Sequence, residues 1–381
     1  MKCLALLLLC GSSLAACGGG AAVVKPEAQT VKAADPQAAR TYLEAVKLLS
    51  SKDPSAETKA LAGFERALQL DPQLWEAHYN AGVLLRRRGE PRKALPHLQA
   101  AHELAPAEGE PLIALAEVQH ALGEREEAAD LLGEYVQEHP EANAVRIALT
   151  AVLREQGEYD KALTRAREAL VREPANVQAL LEVGRIYRAK GDLEVSELVF
   201  EKVLALDPRS ATAHNDLGLL ALARGDTQRA FDEFDKAGRS DERFTPARLN
   251  RASVLLRAGD YTAARSEYEK VLEVAPDTLD ARVALGICLR GLNKQSEAEA
   301  EYQKALHIAP NHAAALFNLA VLRAEFQSRP ADALPLFERY LEVSASDDPE
   351  RKTAERYVTD LKAQAKRASE EPSASAKEAA K

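Results

Sequence analysis

Four cysteines, eight histidines and 59 acidic residues are the groups in this chain of 381 residues that could hold a metal, form a disulfide or carry catalysis. Cys3, Cys10 and Cys17 fall within the first 17 residues and leave Cys288 alone in the body. A lone thiol supports neither a disulfide framework nor a zinc cluster. Flanked by Ile287 and Leu289, Cys288 reads as a small buried hydrophobe. His97 with His102, and His307 with His312, are five apart, which does not put two ligands squarely on one helical face. No HExxH, phosphate loop or GxSxG occurs. Dozens of Glu residues offer so many carboxylate pairs that none stands out. The chain reads as non-enzymatic, without metal, cofactor or small-molecule substrate. Cys17 is different, because its setting, Leu14-Ala15-Ala16-Cys17, ends an apolar leader.

That leader has a short positive start at Lys2 and an apolar stretch from Leu4 to Cys10. The stretch is about ten residues too short to span a bilayer, so residues 1–16 read as a secretory signal. An A-x-A-like cut would leave Cys17 incidental. The four residues also resemble the bacterial lipobox, in which small residues precede a cysteine that receives a diacylglyceryl thioether and is then N-acylated. That resemblance implies a covalent lipid on Cys17, with each buried methylene contributing about 0.8 kcal/mol of membrane affinity. Residue 18 is Gly rather than the Asp of the enterobacterial inner-membrane retention rule, so in a Gram-negative host the resemblance implies the periplasmic face of the outer membrane. Residues 17–38 read as the lipidated Cys and a flexible tether; the stretch from Gly18 to about Gln37 lacks an apolar period and reaches at most about 70 Å.

The elements that must present any binding surface are set by composition and period. Hydrophobic residues make up 46% of the chain and aromatics only 5%, so Ala, Leu and Val carry the core, a helix former's choice. The formal charge of −9, with signs interspersed, argues against a nucleic-acid partner. From residue 75 to 312 the chain repeats every 34 residues, seven times without a gap. The eighth position is small (Gly82, Ala116, Thr150, Gly184, Gly218, Ala252, Gly286). The fifteenth is Gly89, Gly123, Gly157, Gly191, Gly225, Gly259 and then Asn293. Small residues recur at twenty, large ones at twenty-four (Phe200, Phe234, Tyr268, Tyr302), and Pro at thirty-two in all copies but one. Gly or Asn at fifteen can end a helix in the left-handed conformation, and small residues at eight and twenty let two helices approach closely. Each block is therefore a helical hairpin that buries its apolar face only by stacking on the next.

This pattern resembles the tetratricopeptide repeat (TPR), which implies an all-α solenoid, a right-handed superhelix of helical hairpins. About nine hairpins are expected over residues 39–347. A degenerate first copy carries Ala60, Phe64 and Ala67, and a last copy has a one-residue insertion in "FQSRP". Pro96 and Pro335 fall early in second helices, where a local bend is expected. A capping helix is expected over 348–368, with Asp347 and Asp348 as caps and Ala354, Tyr357, Val358, Leu361 and Ala365 on one face. A disordered tail is expected over 369–381.

In this family ligands usually lie in a concave groove lined by first-helix positions two, five, six, nine, twelve and thirteen. Carried onto this chain, the resemblance makes Tyr79, Leu181, Leu249 and Phe317 an apolar floor. Asn80, Asn250 and Asn318 would be amides for a peptide backbone, and Arg86, Arg154, Arg188 and Arg290 cations for carboxylates. The alternative is that position five packs within the solenoid and the arginines form a solvated edge. No repeat carries the residue set with which chaperone-binding members clamp a C-terminal carboxylate. The expected function is a lipid-anchored scaffold that binds envelope proteins or peptide segments for gliding motility, a type IV pilus or secretion. A periplasmic adaptor recruiting cell-wall hydrolases or synthases is the alternative. The layout and the stretch "AALFNLAVLRAEF" resemble the TPR lipoproteins of adventurous gliding-motility complexes.

Overall fold

The computed structural model describes residues 35–370 except 52 and 54; the signal, Cys17 and the tail from 371 lie outside the described residues. Among the described residues there are nineteen α-helices and no strand. They fall into two compact units, with the boundary between Asp226 and Thr227.

The first unit holds α1 (Pro36–Leu48), α2 (Ala56–Leu70), α3 (Trp75–Arg87), α4 (Pro91–Leu104), α5 (Gly109–Leu122) and α6 (Arg125–Glu138). It continues through α7 (Asn143–Glu155), α8 (Tyr159–Arg172), α9 (Val177–Lys190), α10 (Leu193–Leu206) and α11 (Ala211–Ala223). Helices pack in sequence as hairpins, and each first helix also touches the next first helix, α3 on α5, α5 on α7, α7 on α9 and α9 on α11. The second unit holds α12 (Thr227–Ser240), α13 (Thr245–Arg257), α14 (Tyr261–Val274), α15 (Leu279–Gly291), α16 (Gln295–Ile308), α17 (Ala313–Val321), α18 (Pro330–Val343) and α19 (Arg351–Glu370).

The repeat positions act as the spacing predicts. Position fifteen has a positive φ in every copy, from 73° at Gly89 to 91° at Gly123, with Asn293 at 59°. Positions eight and twenty-four are matched in volume. Gly184 faces the Phe200 ring, Gly286 the Tyr302 ring and Gly82 the Leu98 side chain, so closely that an added Cβ would lie 2.3–2.5 Å from the nearest atom. At Thr150, where position eight is larger, position twenty-four shrinks to Ala166, and both are buried.

The one-residue insertion in the last copy is absorbed by a π-turn, Leu322–Phe326, after which Ser328 (φ 53°) takes the place of the helix-ending glycine. Glu299 of α16 holds this irregular segment, accepting from Arg323 at 2.7 Å, Gln327 at 2.9 Å and Arg329 at 3.2 Å. Both α4 and α18 run on through Pro96 and Pro335.

Three boundaries differ from expectation, one of them the end of the closing helix, which runs to Glu370, two residues into the stretch expected as tail. The first helix begins at Pro36, inside the stretch read as tether, because Asp35 accepts from the Gln37 and Ala38 amides and Pro36 is preorganised for the first turn. The closing helix begins at Arg351, because Asp348 turns its carboxylate onto the Glu350 amide and so shapes a turn before the helix. On α19, Ala354 is buried and Tyr357 stacks on Phe337 (4.6 Å between centroids), but Ala365 is exposed, beyond the last hairpin it could cover.

Candidate functional site along the first helices

The expected groove residues divide by depth. Leu181 is 1% exposed and Asn80 2% exposed. Leu181 packs with Phe200 and Leu217. The Asn80 amide donates to the Tyr42 hydroxyl (3.0 Å) and the Glu76 carbonyl (2.8 Å). Ile147 and Val283, also at position five, are buried. Position five therefore packs largely within each unit: first helices lie close enough that its side chain meets the neighbouring helix before solvent. Tyr79, Leu249 and Phe317 remain partly exposed. Phe317 lies against the rings of Phe337 and Tyr340 at 5.9 and 5.3 Å.

The position-twelve arginines mostly have partners inside the chain. Arg86 pairs with Glu117 of α5. Arg154 donates from Nε to Glu182 of α9 at 2.9 Å and from Nη2 to Glu155 at 3.1 Å. Arg290 lies over the Phe326 ring (5.5 Å) and reaches Asn318 of α17 at 3.5 Å, while Asn318 donates to the Ala314 carbonyl. These guanidiniums reach forward one repeat and tie consecutive first helices together. Asn250 is partly exposed and also engaged.

Sequence reasoning missed the groups that receive them. Glu182 and Asp216 are each 3% exposed, and Arg185 bridges them, donating at 2.7 Å to Glu182 from Nη1 and at 2.7 Å to Asp216 from Nε. Burial works against the Glu182 carboxylate, yet the guanidiniums of Arg185 and Arg154 outweigh it and hold its pKa below the ordinary value. At Glu117 burial prevails over Arg86 and pushes the carboxyl up to about 7. The signal was present as a spacing of 28 residues between position twelve and position six of the next copy, Arg154 to Glu182 and Arg290 to Asn318.

A second missed pair is His78 of α3 with His97 of α4, whose Nδ1 atoms lie 3.1 Å apart. His78 Nε2 is 3.3 Å from the Pro72 carbonyl. With Nε2 donating there, His78 Nδ1 accepts from His97 Nδ1–H, so a proton added to His78 sets N–H against N–H. Burial lowers both pKa values below the ordinary 6.5, and His97 is lowered further by His78. A lowered folded-state pKa means that the unfolded chain binds more protons, so this contribution to stability is present above pH 6.5 and lost as pH falls below it. Wild type should therefore lose more thermal stability between pH 7.5 and about 5 than His78→Asn/His97→Leu; equal losses would contradict the paired-histidine assignment.

Among the described residues, no three His, Cys, Asp or Glu gather into a metal site, and no helix is long and apolar enough to cross a membrane. Family models described as Tetratricopeptide repeat match residues 58–109, 151–208, 185–242 and 249–313, and a second model of the same description matches 85–152. The chain belongs to the tetratricopeptide repeat family. A search of curated proteins returned no match.

Among solved structures, the chain is similar to the Cut9–Hcn1 hetero-tetramer of the APC/C (14% identity, 84% of this chain and 62% of that one, TM-score 0.53). It is also similar to a human IFIT1 dimer with m7Gppp-AAAA (19%, 81% and 72%, TM-score 0.50). A third is YrrB, a TPR protein with an unusual peptide-binding site (20%, 50% and 96%, TM-score 0.42). At these identities the likeness is one of fold.

Proposed function

We propose that this chain is a scaffold lipoprotein, anchored through a lipid on Cys17 to the periplasmic face of the outer membrane. It binds segments of other envelope proteins to assemble or stabilise a machine for gliding motility, a type IV pilus or secretion. Proteins of this repeat family are generally non-enzymatic interaction scaffolds. The observation that carries the reading is the conjunction of seven gapless repeats with Leu14-Ala15-Ala16-Cys17 at the end of an apolar leader. The repeats supply a long run of first helices with polar and apolar groups for an extended segment, and two or more acyl chains suffice for stable membrane attachment. Cys17→Ala should abolish labelling by a fatty-acid analogue and move the protein from the membrane to the soluble fraction. Labelling and membrane retention in the variant would remove the anchor from this account.

A further inference from the structure

Three of the four position-twelve arginines tie consecutive first helices together, Arg86 to Glu117 and two others by a common step, and the fourth does not. Arg154 reaches the residue 28 positions on, Glu182, and Arg290 reaches Asn318 by the same step. From Arg188 the step leads to Asp216 of α11. Asp216 is one methylene shorter than Glu182, and its Oδ2 is already taken by Arg185 Nε at 2.7 Å. The Arg188 guanidinium makes no hydrogen bond or ion pair among the described residues, and its Nε is buried without a partner. Burial lowers its pKa, and Asp216 offsets this by charge from a distance without a bond to the fork. A partly buried guanidinium with open donors favours an incoming anion, since leaving it unmade costs the full desolvation of those donors.

We propose that Arg188 is a carboxylate-binding site on the first unit, taking an Asp or Glu side chain or the C-terminal carboxylate of an extended protein segment. A carboxylate matches the planar guanidinium with two parallel bonds. A phosphate dianion is disfavoured there by the buried negative charges of Glu182 and Asp216. Leu219 and Leu222, at positions nine and twelve of the next first helix, are both partly exposed. The site differs from the chaperone-tail clamp, whose residue set is absent from this chain. The inference rests on the scaffold reading and names the chemistry of its ligand.

The test uses the full mature chain on an array of short peptides bearing Glu or Asp at varied positions, beside Gln and Asn counterparts, each with a free and an amidated C-terminus. Wild type should prefer the acidic peptides. Arg188→Gln should weaken them about tenfold or more, Arg188→Lys should retain part of the binding, and Arg209→Gln, which removes an exposed cation of the same unit, should change nothing. Loss on amidation assigns the C-terminal carboxylate, and retention assigns the side chain. Equal binding of acidic and amide peptides, equal effects of Arg188→Gln and Arg209→Gln at matched melting curves, or no saturable binding up to about 1 mM would overturn the site. Any of these with envelope proteins still crosslinked in cells leaves the scaffold reading standing; absence of all crosslinks removes that reading itself.

Discussion

Glu182→Ala is expected to destabilise the first unit by about 3–5 kcal/mol, because it leaves the buried Arg185 and the partly buried Arg154 guanidiniums facing an empty site. Glu182 receives Arg154 Nε and Arg185 Nη1 and is only 3% exposed. The magnitude reflects the cost of stranding charge rather than the net worth of the cluster, so replacing Arg154, Glu182, Arg185 and the bridged Asp216 together by apolar residues of similar volume should cost far less than Glu182→Ala alone. In a stacked array unfolding need not be two-state, so the measurement is hydrogen exchange of the α9 amides alongside urea titration. A loss under about 1 kcal/mol for Glu182→Ala would mean that the bridge is not formed as described.

Phe200→Ala should cost a similar amount, about 3–5 kcal/mol, by opening a cavity where the ring is fully buried against Gly184. The sharper form is a cycle. Gly184→Ala alone should destabilise by about 1–3 kcal/mol, since its Cβ would stand 2.4 Å from the Phe200 ring. In the Phe200→Ala background the same change should be neutral or stabilising, because the obstruction is gone and Ala is the better helix former by about 1 kcal/mol. Additivity of the two changes would contradict the pairing of positions eight and twenty-four.

The hairpins were legible in the sequence because their requirements are local and periodic. A left-handed residue at fifteen, a small residue at eight and a large one at twenty-four each leave a mark every 34 residues. Even the irregular copy could be placed, since the insertion in "FQSRP" shifts the register by one residue, though nothing local said that a π-turn would absorb it. The first helix was read short at its start because Asp35-Pro36 signals a turn as readily as a cap.

The binding surface was less legible. An arginine at position twelve is equally a groove cation or an inter-repeat tie, and only the stacking distance decides which carboxylate it meets. Arg86 and Arg154 are spent on Glu117 and Glu182, and Asn80 on the Tyr42 hydroxyl. The Arg188 guanidinium is left without a bonded partner because Arg185, whose importance no single block reveals, captures Asp216 first.

The central claim is that this repeat array holds other envelope proteins beside a membrane. The most direct measurement is crosslinking in intact cells followed by mass spectrometry, comparing wild type with Cys17→Ala. The account predicts crosslinks between first-helix residues such as Tyr79, Arg188 and Phe317 and recurring envelope proteins, diminished when Cys17 is lost. Crosslinks confined to second helices, or an unchanged partner set in Cys17→Ala, would contradict it.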